Sequence, residues 1–115
     1  MNEKLKKKLT SNWFKILQDS ICNDIEKIEH KKDIFRATKW RRNKRKNEGG
    51  GEFRVFENGK VFDKVGVNFS EVYGNLSKDF KNKIPGTNKN PNFWASGISV
   101  VMHMKNPHIP AMHFN

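Results

Sequence analysis

Phe53-Arg54-Val55-Phe56 and Val61-Phe62 stand on either side of Glu57-Asn58-Gly59-Lys60. Asn-Gly between β-prone runs is the strongest short-range signal for an antiparallel hairpin, because both central turn residues must tolerate positive φ. Val65, Val67 and Phe69 then alternate with Gly66, Asn68 and Ser70, which predicts a half-buried third strand ending near Tyr73. Residues 98–104 read as a fourth strand and residues 111–115 as the start of a fifth. A chain so patterned after its glycine run is committed to an antiparallel sheet.

Ahead of the sheet, Leu5, Leu9, Phe14, Leu17, Ile21, Ile25 and Ile28 recur at steps of three to five. That spacing predicts an amphipathic helix over residues 4–30, docked on a core with its Lys, Asp, Glu and Gln side chains outward. Residues 31–48 form a basic linker in which Lys39, Arg41, Arg42, Lys44, Arg45 and Lys46 surround Trp40. Like charges at that density resist packing, so a solvated loop or fraying helix end is expected. Gly49-Gly50-Gly51 opens the sheet-forming part, residues 49–115, as a turn or anion cradle. No Gly-Lys-Ser/Thr follows it, so it is not a phosphate loop. Residues 74–92 contain Pro85, Gly86 and Pro91 and are expected to be mostly loop, with a turn of helix around residues 77–83. The fold class is α+β: an N-terminal amphipathic helix, then part of a mainly antiparallel β-sheet, an incomplete domain.

The composition bears on that incompleteness. In 115 residues, 35% are hydrophobic and mean hydropathy is −0.86, low for one compact domain; disordered basic segments or a portion of a longer domain would each account for it, and the second is the expectation. The net charge of +11 attracts polyanions, whether nucleic acid, an acidic membrane surface or a ligand with several carboxylates. The single cysteine, Cys22, excludes an internal disulfide, and its helical position suits a small buried hydrophobe in a reducing compartment. No apolar run reaches the length of a membrane span, and the N-terminal lysines precede no signal-like apolar stretch. A cytoplasmic protein is the expectation.

The chemistry-bearing residues lie near the C-terminus. On the fourth strand Ser99, Val101 and His103 share one face, and Ile98, Val100, Met102 and Met104 the other. Ser99 and His103 are then roughly 13 Å apart, too far for a nucleophile–base pair but suited to gripping separate parts of a large ligand. His113 and Asn115 share a face of the fifth strand. An even antiparallel register sets His103 opposite His113 and Val101 opposite Asn115, giving one polar face. His103, His108 and His113 raise the question of a metal, but this spacing on strands does not by itself make ligands converge. His108, in the Asn-Pro…Pro loop, is expected to be exposed.

Gly49-Gly50-Gly51, the run from Val61 through Val65-Gly66-Val67-Asn68-Phe69-Ser70, Gly97-Ile98-Ser99-Val100-Val101 through His103, Lys105-Asn106-Pro107-His108 and Pro110 to His113-Phe114-Asn115 together resemble the oxygen-dependent coproporphyrinogen III oxidases. The resemblance spans most of residues 40–115, in order and with similar spacing. It implies a large, mainly antiparallel sheet flanked by helices, usually in a homodimer. It also implies conversion of coproporphyrinogen III to protoporphyrinogen IX, in haem and porphyrin biosynthesis, by oxidative decarboxylation of two propionates with molecular oxygen. No organic cofactor is implied; a divalent metal is assigned in some members. By resemblance His113 is the proton donor, Ser99 a substrate contact, His103 a metal-ligand position, and Asn115 the first residue of a substrate-binding Asn-x-Arg.

The chain departs from the family pattern in three ways. The arginine, further histidines and glycine-rich segment that follow in the family are missing. The glycine run is three residues followed by Glu52 where the family usually has four. The basic insert at residues 41–47 is longer and more charged. With those walls missing, negligible turnover is expected of this chain alone. Arg54 is the nearest strand-borne candidate for a propionate contact. A competing reading is a basic nucleic-acid-binding module, with Lys39 to Lys46 on phosphates and Trp40 or Tyr73 stacking on bases. It accounts for the charge but not for the serine, histidines and asparagine of the last two strands.

Overall fold

A computed structural model describes residues 2–77, 83–85 and 90–115. Helix α1 (Glu3–Glu29) is followed by β1 (Arg36–Arg41), β2 (Gly49–Glu57), β3 (Phe62–Asn75), β4 (Asn92–Met104) and β5 (Met112–Phe114). The strands form one antiparallel meander in sequence order. The expected turn of helix around residues 77–83 falls mostly outside the described residues.

Asn2 starts α1 by accepting a hydrogen bond from the Leu5 N–H at 2.8 Å. His30 ends it at φ 56°, and the Lys31 N–H bonds back to the Glu26 carbonyl at 3.0 Å. The helix lies on one sheet face, against β3 and β4. Cys22 and Ile25 meet Phe56, Phe62, Val65, Val67, Ile98, Val100 and Met102 there, with Phe14, Leu17 and Ile21 at the border. Leu5, Leu9 and Ile28 are exposed, contrary to the expected stripe. Ser11, Gln18 and Glu29 take part of the buried face instead.

Those polar residues tether the helix to the sheet. The Gln18 amide donates to the Glu52 and Val67 carbonyls, and the Ser11 hydroxyl donates to Glu71. Both Glu29 carboxylate oxygens accept from the hairpin loop, at the N–H groups of Lys60, Val61 and Phe62. Each pairing satisfies a group whose burial is otherwise unfavourable.

The hairpin forms where expected. Asn58 carries the positive φ of 61°, while Gly59 does not adopt one. A Cβ at Gly59 would lie 2.5 Å from Glu29 Oε2 and 2.5 Å from the Phe56 ring, so glycine is needed there for close approach. Replacing Asn58 by valine, whose branched side chain disfavours the left-handed region, should lower stability by about 1–2 kcal/mol in chemical denaturation. Asn58→Gly should be nearly neutral.

The basic stretch divides: residues 36–41 form edge strand β1, which the expected loop did not include, while Arg42, Lys44, Arg45 and Lys46 lie in the loop that leads to β2, as expected. Gly49-Gly50-Gly51 lies inside β2 instead of making a turn or cradle. A shift of register between Phe62 and Lys64 lets Phe62 and Val65 both face the helix, although they are an odd number of residues apart.

Candidate functional site

The functional candidates occupy the sheet face that α1 does not cover. Alternation turns Ile98, Val100 and Met102 into the core and leaves Ser99 and Val101 half-buried and His103 exposed on the other side. Asn68 pairs with Ser99, Gly66 with Val101, and Lys64 with His103. A depression of about 480 Å³ lies over this area, lined by Phe53, Asp63, Lys64, Gly66, Asn68, Ser99, Val101 and His103. Glycine at 66, and at 97 beyond it, keeps the relief low.

β5 completes the polar surface, but in a register two residues from the one expected. His113 pairs with Val101, not with His103, while Met112 and Phe114 pair with Met102 and Val100. Parity is conserved, so His113 shares the open face with Ser99 and His103. It stands diagonally to both, at side-chain separations of roughly 7–8 Å. Asn115 lies one residue past β5; one further pair in the same register would put it opposite Ser99, not Val101. No hydrogen bond among the described residues engages the side chains of Ser99, His103, His113 or Asn115.

Arg54 is not on this face. It is on the helix side, where Nη1 meets Asp19 Oδ1 at 2.6 Å and Nε meets Glu52 Oε2 at 2.8 Å. Burial works against its charge, yet the bonds to those carboxylates outweigh it and raise its pKa. A guanidinium held by two carboxylates has little left to offer a propionate. Burial likewise pushes the Cys22 thiol up despite the pull of Arg54, so it behaves as a packed hydrophobe and not a nucleophile. His108 is exposed in its loop, as its position implies. The described residues contain no group of three or more His, Cys, Asp or Glu arranged to hold a metal ion.

Trp40 and Tyr73, the candidate stacking residues, each make a side-chain hydrogen bond. The Trp40 indole N–H donates to Asn68 Oδ1 at 2.9 Å. The Tyr73 hydroxyl donates to Asn47 Oδ1. Sequence reasoning did not single out Asn68 or Trp40 as members of the open face. The signal for Asn68 was present, since it alternates with the core residues Val67 and Phe69.

A helix-backed antiparallel sheet, apolar on the packed side and carrying polar side chains on the open side, is an α+β architecture with one sheet face left uncovered. The profile of the coproporphyrinogen III oxidase family matches residues 9–115. Curated relatives include the oxygen-dependent coproporphyrinogen-III oxidases of Rickettsia akari, at 46% identity, Rickettsia felis, at 45%, and Rickettsia typhi, at 46%. Each alignment covers 95% of this chain and 40% of the relative. The chain belongs to the coproporphyrinogen III oxidase family. It spans about two-fifths of the length of those relatives.

Among the described residues, no helix is long and apolar enough to cross a membrane.

Proposed function

We propose that this chain serves the oxygen-dependent conversion of coproporphyrinogen III to protoporphyrinogen IX, contributing a sheet face on which the tetrapyrrole lies. The observation that carries the reading is the gathering of Ser99, His103 and His113 on one uncovered face. Their side chains are unpaired, and the residues around them match a family whose curated relatives bear that enzyme's name. A porphyrinogen is broad and largely apolar with four carboxylates at its rim. Val101 and the glycine positions give it a flat seat, while the net charge of +11 favours its anionic rim.

Turning one propionate into a vinyl group releases carbon dioxide and removes a hydrogen with two electrons. Dioxygen takes these up together with one more proton. His113 is assigned the role of proton donor, for which imidazole is suited near neutrality. Ser99 and Asn115 hold carboxylates. His103 keeps the metal-ligand position that the family resemblance assigns, a role requiring ligands beyond the described residues, and no step is routed through it. The enzyme is placed in the cytoplasm, in haem biosynthesis, as a homodimer.

The test is a titration of the chain with coproporphyrin III, the coloured oxidised form of the substrate. Saturable binding is expected, weakened about fivefold in Ser99→Ala, as suits loss of one hydrogen bond. Asp24→Asn, on the helix surface, should leave it unchanged. Absence of saturable binding, or binding indifferent to Ser99, would sink the reading.

A further inference from the structure

We propose that Asn68 is a further substrate-binding residue, which pairs its amide donors with the Ser99 hydroxyl on one propionate carboxylate and is positioned by Trp40. The inference deepens the reading of the open face as the tetrapyrrole seat and rests on it.

The argument begins at Gly51. Trp40 of β1 pairs with Gly51 of β2, which pairs in turn with Ser70 of β3, all on the open face. A Cβ at Gly51 would come within 2.9 Å of the Trp40 ring atom Cζ2, so the missing side chain is what lets the indole lie across β2. From there its Nε1 reaches Asn68 on β3, at 2.9 Å.

This bond decides which way the carboxamide faces. An indole N–H can only donate, so the atom facing it must be the amide oxygen. With the oxygen held by the indole, the Asn68 NH2 group is left as the donor end, and β4 is the strand paired on the side away from β2. There Ser99 is the directly paired residue, with side-chain bases about 4.5–5.5 Å apart. No hydrogen bond among the described residues uses the Asn68 NH2 or the Ser99 hydroxyl. Both are half-buried and line the same depression. Two unpaired donors at that separation suit the two oxygens of one carboxylate. Free to rotate, the same amide would present its oxygen to the carboxylate half the time and repel it. Trp40 removes that alternative.

The probe is coproporphyrin III, titrated by absorbance against the full 115-residue chain. Asn68→Asp still accepts from Trp40 but sets a carboxylate against a carboxylate. It should weaken binding by about tenfold or more, as loss of a hydrogen bond to a charged group does. Trp40→Phe keeps a ring but loses the N–H, and should weaken binding by about twofold to fivefold, with Asn68 free to flip. The neutral tetra-amide of coproporphyrin III should bind wild type and Asn68→Asp alike, a selectivity that a structural defect would not produce. As a readout that needs no variant, the Asn68 side-chain amide resonances of the wild-type chain are followed as well. They should shift on addition of the porphyrin. Equal binding of coproporphyrin III by wild type and Asn68→Asp, or unmoved Asn68 resonances at saturation, overturns the role of Asn68. The sheet-face reading would survive that result if Ser99→Ala still weakens binding. A wild-type chain that does not bind the porphyrin overturns both.

Discussion

Glu29→Ala is expected to lower the unfolding free energy by about 3–5 kcal/mol, read from urea denaturation. Glu29 is 3% exposed, and its carboxylate accepts three backbone N–H groups from the loop joining β2 to β3, at 2.6–3.0 Å. Alanine leaves those donors unpaired beneath the end of α1 and opens a gap where Gly59 and Phe56 meet the carboxylate. The same group makes stability depend on pH. Burial opposes its ionisation, but the bonds from Phe62, Val61 and Lys60 outweigh burial and lower its pKa below the ordinary 4.5. A lowered folded pKa means that the unfolded chain binds the proton more readily. The contribution is therefore complete above about pH 4.5 and is lost as pH falls through the folded value. Glu29→Gln should be less stable than wild type at neutral pH and lose less stability than wild type below that point. Parallel acid titration curves for the two proteins would contradict this account.

Gly51→Val should be nearly as damaging, with about 3 kcal/mol lost and the porphyrin site lost with it. The new Cβ would collide with the Phe69 carbonyl of β3 while pressing on the Trp40 ring. The β1–β2–β3 spacing and the indole that orients Asn68 both depend on that position. Gly97→Ala is the matched control: it is also a sheet glycine, but nothing lies within 4 Å of where its Cβ would be. It should change stability by no more than about 0.5 kcal/mol. Thermal melts of the two variants compare them directly, and equal loss in both would show that general strand propensity, not close approach, sets the cost.

The parts of this molecule that were legible early are those whose signals are local. Asn58-Gly59 between β-prone runs announces its own turn, and the alternation of Val65, Val67 and Phe69 needs only the pleat of one strand. That Ser99 and His103 share a face followed from the same rule, since period two puts them on one side whichever strands flank them. β1 escaped detection because its run of Lys and Arg obeys a different constraint. An edge strand needs partners on one side only, and charged side chains suit it there. The helix was found, but its buried face was displaced. Ser11, Gln18 and Glu29 are buried for what the sheet offers them in hydrogen bonds, which no hydropathy pattern records.

The helix period, the periods of β2 to β4, the hairpin turn and the sharing of one face by Ser99 and His103 were readable from residue order, because covalent spacing and local backbone preference set them. Tertiary structure alone decided that Arg54 turns to the helix and binds Asp19 and Glu52. It also decided that His113 stands beside Val101 and that Trp40 crosses Gly51 to reach Asn68. Those outcomes depend on which strand lies next, how far the Asn106–Pro110 loop lets β5 slide, and which face the helix covers. Each is settled by contacts between residues far apart in the chain.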